Sequence, residues 1–426
     1  MDKLKIIGGT PLKGSIQISG AKNAALPLMA ASLLSNSSIT LKNVPHLADI
    51  TTMANLLMHM GMEISMNGVN EGIGHTLSLK SNDTINTKAT YDLVRKMRAS
   101  ILVMGPLLAK HHETYVSMPG GCAIGTRPID LHLKGMEALG AKITLEEGYA
   151  HLIAKDGLIG ADYKFPVISV TGTENIMMAA CLAKGTTRLI NAAKEPEVVD
   201  LANLLKKMGA KIEGAGTDIM TIEGVKDLSG CEHSIIPDRI EMGTYIMAAG
   251  ITNGEIEIKN ADLNLLPAVV DVLEKTGLEF IKNEKSFIVR RQDPNKPLKS
   301  VDIQTQPYPA FPTDLQAQYT AMMATAEGTS LITENIFENR FMHIAEMLRM
   351  GADIQTQGSV ATVKGVKKLI GASVMATDLR ASASLVLAGL AAEGETIVHR
   401  IYHLDRGYEH LETKLSECGA IIERMH

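Results

Sequence analysis

KKMGAKI, residues 206–212, reads as a helix that stops at a glycine and restarts as a strand. Gly209 sits where a helix C-terminus calls for a left-handed residue without a Cβ, and Lys211–Ile212 begins a β-type run. The same step recurs as LLMHMGMEI (56–64), EALGAKI (137–143), EKTGLEF (274–280), LRMGADI (348–354) and SECGAII (416–422). The six glycines, Gly61, Gly140, Gly209, Gly277, Gly351 and Gly419, are spaced by 79, 69, 68, 74 and 68 residues. Internal repetition on this scale decides the architecture before any single motif does.

A second set of segments interleaves with the first. A short strand leads into a helix rich in Ala, Ser and Met in SIQISGAKNAALPLMAASLL (15–34), YDLVRKMRASILVMGPLLA (91–109) and VISVTGTENIMMAACLAKG (167–185). The pattern returns in IIPDRIEMGTYIMAAGITNG (235–254), PAFPTDLQAQYTAMMATAEG (309–328) and MATDLRASASLVLAGLAAEG (375–394). These helices are apolar on nearly every face and should be buried, whereas the glycine-terminated ones are amphipathic. Each unit therefore reads strand, buried helix, strand, amphipathic helix, strand. Its length exceeds the common solenoid periods, which predicts a closed α/β arrangement rather than an open array. Six units divide into three and three, and the polar stretch VKDLSGCEH (225–233) between the third and fourth marks the boundary. Two similar lobes predict a ligand cleft.

Composition fits this packing and excludes several functions. The chain has 426 residues, 45% hydrophobic and 21% charged, which is neither disordered nor collagen-like. Aromatic residues are 4%, with no Trp, beside 37 Gly and 24 Met, so the core must be built from aliphatic and small side chains. No apolar run is long enough to span a membrane, and the N-terminus has no signal-peptide pattern. A net charge of −5 argues against nucleic acid as a partner. Cys122, Cys181, Cys231 and Cys418 lack metal-ligand or disulfide spacing, which fits a reducing cytoplasm. No HExxH, Walker, GxSxG or Rossmann pattern is present.

Chemistry concentrates in a few places. In MPGGCAIGTRPIDLHLKG (118–135), Cys122 lies among glycines near Arg127 and a helix start at Pro128–Asp130. That environment favours a reactive thiolate, whereas Cys181, inside an apolar helix, reads as structural. Lys22, Asn23, Arg98, Arg239, Asp314 and Arg380 fall at the starts of the buried helices. Cations at helix N-termini in an acidic chain point to an anion site for phosphate or carboxylate. Capping by Asp238 and Asp378 accounts for part of the pattern. TENIFENRFMHIAEM (333–347) and HRIYHLDRGYEHLE (399–412) add Arg340, His343, Asp405, Arg406 and Tyr408, equally readable as capped helix starts with surface ion pairs.

The motifs SGAKNAALP, MRAS, PGGCAIGTRPIDLH, AFPTDLQAQ, ENIFENRFMH, ATDLRASASLVLAG and DRGYEHLE span nearly the whole chain. On them the sequence resembles the UDP-N-acetylglucosamine enolpyruvyl transferases, in particular the second copy found in many Gram-positive bacteria. The resemblance implies a two-domain inside-out α/β barrel, with six β/α units, helices inside and sheets outside. It places residues 21–230, with the Cys122 loop, in one lobe, and 1–20 with 231–426 in the other. It implies transfer of the enolpyruvyl group of phosphoenolpyruvate to the 3′-hydroxyl of the UDP-sugar in the cytoplasm, through a tetrahedral ketal, without metal or organic cofactor. Nucleic acid and membrane are not expected partners, and the oligomeric state is left open.

By the same resemblance Cys122 is the proton donor and the site of a covalent phosphoenolpyruvate adduct. Asp314 is the base or orienting group at the sugar hydroxyl. Lys22, Arg127 and Arg406 clamp the phosphate, Arg340 and Arg380 lie near the carboxylate, and Asn23 touches both substrates. Arg98, Arg127, Pro128, Ile129, Asp130, Leu131 and Ile336 contact the sugar nucleotide. Some members carry a lysine two residues before the SV dipeptide; Val167 stands there here, which weakens the assignment of Ser169 and Val170 to that substrate. A shikimate phosphate as acceptor, or a silent sugar-nucleotide-binding paralogue, are the competing readings.

Overall fold

The computed structural model describes residues 2–68, 74–82, 84–118 and 129–426. These form two compact units, one of residues 20–118 and 129–236, the other of 2–19 and 237–426. All six repeat glycines take positive φ, from 83° at Gly351 to 108° at Gly209, as the helix-to-strand step requires.

Each unit holds three four-stranded sheets of one pattern. Asp162–Lys164 leads into the buried helix Val170–Ala180 and pairs parallel with Thr186–Ile190. The amphipathic helix Pro196–Lys207 follows, and then the hairpin Lys211–Glu213 with Ile219–Glu223, whose second strand returns antiparallel to Thr186–Ile190. In five of the six units the single strand expected after the amphipathic helix is thus one arm of a hairpin. A lone strand there would have left a row of unpaired backbone groups. Among the described residues the six sheets are separate and none closes into a β-barrel; each unit sets three sheets around its buried helices, the two-domain α/β arrangement of six repeated units with helices inside and sheets outside.

The first buried helix and the fourth exchange their leading strands. Lys13–Gln17, which feeds Lys22–Ala31, pairs parallel with Glu255–Lys259 in the other unit's sheet. Glu232–Ser234, which feeds Arg239–Ile251, pairs parallel with Ile39–Val44. The boundary therefore lies after residue 236 rather than 230, because this pairing keeps 231–236 with the first unit; the other crossing follows residue 19, not 20. The sixth sheet is completed by the N-terminus. Lys3–Ile7 lies between Glu395–His399 and Ile421–Met425, antiparallel to both.

The cores follow from the composition. All 13 residues of Arg239–Ile251 are buried, as are 11 of the 13 in Leu379–Ala391. Within each unit the buried helices pack on one another, and small residues set how closely. A Cβ on Gly105 would come within 2.2 Å of the Asn175 carbonyl oxygen, and one on Gly243 within 2.5 Å of Leu315. Strands such as Lys3–Ile7 bury alternate residues, turning one face of each sheet to this core.

Candidate active site

In the first unit, Lys22 opens the helix Lys22–Ala31 and is almost fully buried. Its Nζ lies 3.2 Å from Asp49 Oδ2, in the first turn of the helix Ala48–His59. A buried ammonium needs such a partner, since an isolated charge in this environment would be strongly disfavoured. Asn23, the next residue, is exposed. Asp49 was not found by sequence reasoning, as one acid in an amphipathic helix carries no special pattern.

Arg98 begins the 3-10 turn Arg98–Val103 and is half-buried. Its charge acts on His132, which is buried in the helix Asp130–Ala138. Burial, with Arg98 adding to it and Asp130 opposing, pushes the imidazole pKa down to about 4, so this histidine is neutral. Asn175 accounts for its tautomer: the amide Nδ2 lies 3.0 Å from His132 Nδ1 and 2.9 Å from the Ile101 carbonyl, while Oδ1 accepts from Gly105 N at 2.6 Å. His132 Nδ1 then accepts, leaving Nε2–H for Thr171 Oγ1 at 3.3 Å. The network ties the Arg98 turn to the helix beginning at Asp130.

Ile129 is buried, and the Leu131 carbonyl accepts from Tyr163 Oη at 3.1 Å. Asp130 pairs with exposed Lys134 at 3.7 Å, while its Oδ1 is buried with no hydrogen-bond partner among the described residues. Ser169 caps the helix Val170–Ala180 by accepting from Gly172 N at 3.2 Å, so its hydroxyl has a structural task; Val170 opens that helix half-buried. Val167 is 67% exposed. Cys122, Arg127 and Pro128 lie outside the described residues.

In the second unit three predicted residues meet. Asp314, in the turn Thr313–Leu315, accepts from Arg340 Nη2 at Oδ1 and from Arg380 Nη2 at Oδ2, both at 2.8 Å. Both arginines are 5% exposed, and the Asp314 side chain is 26% exposed. Burial opposes the charge on Arg380, but Asp314, Tyr408 and Asp238 outweigh it and hold the guanidinium pKa above its ordinary value. Arg380 follows the N-cap Asp378, whose Oδ1 accepts from Arg380 N and Ala381 N. Arg340 sits over the Phe337 ring, 5.3 Å from its centroid.

Buried Glu334 fixes the loop carrying Arg340. It accepts from Thr313 Oγ1 at 2.9 Å and from the N–H groups of Ile336 and Phe337, which orients the backbone at Ile336. Arg406 ends the turn Ile401–Arg406. Its neighbour Asp405 is gripped by Arg424, whose Nη1 and Nη2 lie 3.1 and 2.6 Å away, and Arg424 Nε reaches Glu412 at 2.6 Å. Arg239 faces the Tyr308 ring at 5.6 Å. Among the other cysteines, Cys181 and Cys418 are buried, and burial raises both thiol pKa values, to about 12 and, with help from Glu417, about 11. Both are unreactive at neutral pH.

The polar residues that sequence reasoning missed, Thr244, Gln318, Asn175 and Glu174, all lie on buried helices and are themselves buried. Their signal was available: a polar side chain on a helix that is buried on every side needs a partner. Among the described residues no group of His, Cys, Asp and Glu could hold a metal ion.

Known proteins share this architecture. The enolpyruvyl transferase NikO of Streptomyces tendae superposes with a TM-score of 0.89 at 24% identity, over 100% of this chain and 99% of that one. An EPSP synthase of Acinetobacter baumannii superposes at 0.76 and 17% identity, over the full length of both. These likenesses are of fold. The profile of the EPSP synthase (3-phosphoshikimate 1-carboxyvinyltransferase) family matches residues 6–415. Much higher identity links the chain to proteins named UDP-N-acetylglucosamine 1-carboxyvinyltransferase. That of Rhodospirillum centenum is 58% identical over 100% of this chain and 99% of its own, and that of Granulibacter bethesdensis 57% over the full length of both. The likeness to a second Gram-positive copy rests on the motifs alone. With full-length identity of this order and the motif residues in place, the chain belongs to the UDP-N-acetylglucosamine 1-carboxyvinyltransferase family of enolpyruvyl transferases.

Proposed function

We propose that the chain transfers the enolpyruvyl group of phosphoenolpyruvate to the 3′-hydroxyl of UDP-N-acetylglucosamine and releases phosphate, a step of peptidoglycan precursor synthesis. The observation that carries the chemistry is the Asp314 carboxylate held between two buried guanidinium groups. The relatives' named activity supplies the acceptor, and identity to them far exceeds that to the EPSP synthases. In the addition step the sugar oxygen bonds to C2 of phosphoenolpyruvate, its proton leaves to a base, and C3 gains a proton to become a methyl group. In the elimination step C3 loses a proton, the C2–O bond to phosphate breaks, and the vinyl ether remains.

Each unit contributes groups suited to part of this. In the second, Arg340 and Arg380 are carboxylate ligands whose resident anion is Asp314. A substrate carboxylate that took over one guanidinium would free an Asp314 oxygen to accept the sugar hydroxyl proton. Arg406 is assigned to the phosphate. Lys22, in the first, and Arg127 are assigned to the phosphate as well, and Cys122 to the proton for C3. Asn23, Arg98, the segment 127–131, Ser169, Val170 and Ile336 are assigned to the sugar nucleotide. No metal or organic cofactor enters the proposal. A cytoplasmic setting belongs to it, and no helix among the described residues is long and apolar enough to cross a membrane.

The test is phosphate release from phosphoenolpyruvate with UDP-N-acetylglucosamine or shikimate 3-phosphate as acceptor. Release with the UDP-sugar alone is expected. No release with it would overturn the proposal, and a silent paralogue would bind the UDP-sugar without release. Cys122→Ser should abolish turnover while leaving UDP-sugar binding nearly intact.

A further inference from the structure

Behind Arg380 lies a chain of buried polar groups that the reaction scheme does not use. Tyr408 Oη is 3.4 Å from Arg380 Nη1, 2.8 Å from Thr244 Oγ1 and 3.0 Å from Gln318 Nε2. Thr244 Oγ1 in turn lies 2.8 Å from the Ile240 carbonyl, and Gln318 Nε2 is also 3.1 Å from Thr244 Oγ1 and 3.0 Å from the Asp314 carbonyl. Thr244 and Gln318 are fully buried, and Tyr408 is 2% exposed.

One arrangement of protons fits these contacts, with Gln318 Oε1 left without a hydrogen-bond partner among the described residues. The Asp314 and Ile240 carbonyls can only accept. The first therefore fixes the Gln318 amide with its NH₂ inward. Arg380 and Gln318 then both present donors to the phenol, so its one acceptor in this set is Thr244. Thr244, receiving that proton, sends its own to Ile240. The direction runs from Arg380 to Tyr408 to Thr244 to the Ile240 carbonyl, and the phenol turns its lone pairs to the guanidinium. Gln318 joins this chain to the turn bearing Asp314, so one amide references both members of the Asp314–Arg380 pair.

We propose that Tyr408, Thr244 and Gln318 are positioning residues that hold the Arg380 guanidinium in orientation when Asp314 exchanges it for a substrate carboxylate. This rests on the reading of Arg380 as a phosphoenolpyruvate ligand. At that moment Arg380 loses its bond to Asp314 Oδ2, and Tyr408 is the contact on its other nitrogen. Without it the guanidinium would have to be ordered by the substrate itself, which weakens binding.

Thr244→Val touches neither Arg380 nor substrate, yet it removes the phenol's acceptor and leaves the Tyr408 proton to turn toward the guanidinium. We expect it to raise KM for phosphoenolpyruvate about tenfold, the lower end for a lost buried hydrogen bond to a charged group, with KM for the UDP-sugar changed less than about twofold. Thr244→Ser restores the relay and should return KM to the wild-type value. Tyr408→Phe should match Thr244→Val, and the double variant should be no worse than about twofold beyond either, because both break one chain. A merely structural role would lower the melting temperature in both Thr244 variants without separating the two KM values.

A second measurement does not depend on the reaction. Side-chain ¹⁵N NMR of Arg380, assigned with Arg380→Lys, should show faster rotation of the guanidinium in Thr244→Val and Tyr408→Phe than in wild type and Thr244→Ser. Equal rotation in all four, or equal KM for the Val and Ser variants, overturns the proposal. If wild type released no phosphate the reading of the reaction would fail, and the NMR comparison alone would decide the positioning role.

Discussion

Asp314→Asn perturbs the centre of the site with almost no change of shape. Its carboxylate is the anion between two guanidinium groups that are each 5% exposed, at 2.8 Å from both. An amide cannot replace it, because its oxygen can accept from one arginine while its NH₂ meets the other donor to donor. Charge-assisted bonds of this kind are worth about 1.5–3 kcal/mol each, and breaking a buried ion pair costs about 3–5 kcal/mol. The side chain is 26% exposed, so water offsets part of the loss and about 2–4 kcal/mol is expected. For a unit of this size that lowers the melting temperature by roughly 5–15 °C.

The variant should also bind small anions more tightly. In wild type, inorganic phosphate or a carboxylate must compete with Asp314 for the two arginines; in Asp314→Asn it need not. A difference of about 2 kcal/mol corresponds to roughly thirtyfold in Kd. Calorimetric melting across a phosphate titration reads both effects, since a ligand at a hundred times its Kd adds about 2.7 kcal/mol. We expect a lower melting temperature without phosphate and a larger rise with it. A variant that melts with wild type, or gains no more from phosphate, would refute the description of Asp314 as a resident counter-ion.

Three further outcomes follow from other charged and titratable groups. His132 and His343 are both depressed to about 4, chiefly by burial, against about 6.5 in an unfolded chain, so the unfolded state protonates first. Their stability contribution is full above about pH 6.5 and is lost as pH falls toward 4, at up to about 1.4 kcal/mol per pH unit for each. Urea melts from pH 7 to 5 should show this slope, and His343→Gln should remove one proton's share. Glu174 is fully buried, and desolvation, with Glu197 and Glu195, holds its pKa well above the ordinary carboxylate value. Its contribution is present below about pH 4.5 and lost as pH rises through the raised pKa, so Glu174→Gln should raise the melting temperature at pH 8 more than at pH 5. Arg424→Met should loosen the turn bearing Arg406 by removing both bonds to Asp405; we expect weaker phosphate binding, by about three- to tenfold, with the melting temperature lowered by a few degrees.

The repeat was legible because its signal is local. A glycine after an amphipathic run constrains φ whatever surrounds it, and all six take positive values. Burial of the Ala- and Met-rich helices was legible for the same reason, since a helix without a polar face has only one place to go. Strand pairing is not local. The exchange of Lys13–Gln17 for Glu232–Ser234 joins segments 242 and 192 residues apart, and strands of three to five residues carry little pattern of their own. The boundary after residue 236 rests on that pairing, which the polar stretch 225–233 does not reveal. In the site, Asp314, Arg340 and Arg380 were found one by one through motifs, but their convergence on one carboxylate needed the tertiary structure. Thr244 and Gln318 were overlooked because nothing local sets them apart from the other polar residues of their helices, such as Glu241 and Gln316.

The N-terminal strand has a consequence for how the protein is made. By residue 236 the first unit has every strand of its three sheets, and it can close while the rest is still being synthesised. Lys3–Ile7, which precedes that unit in the chain, pairs among the described residues only with Glu395–His399 and Ile421–Met425. At about 5–20 residues per second, the interval from residue 236 to residue 425 lasts roughly 10–40 s. Through that time the strand, with Leu4 and Ile6 on its apolar face, waits with two open edges. Chaperone binding on the ribosome should concentrate on Leu4 and Ile6, and an N-terminal fusion that delays this strand should slow maturation of the second unit while leaving the first folded.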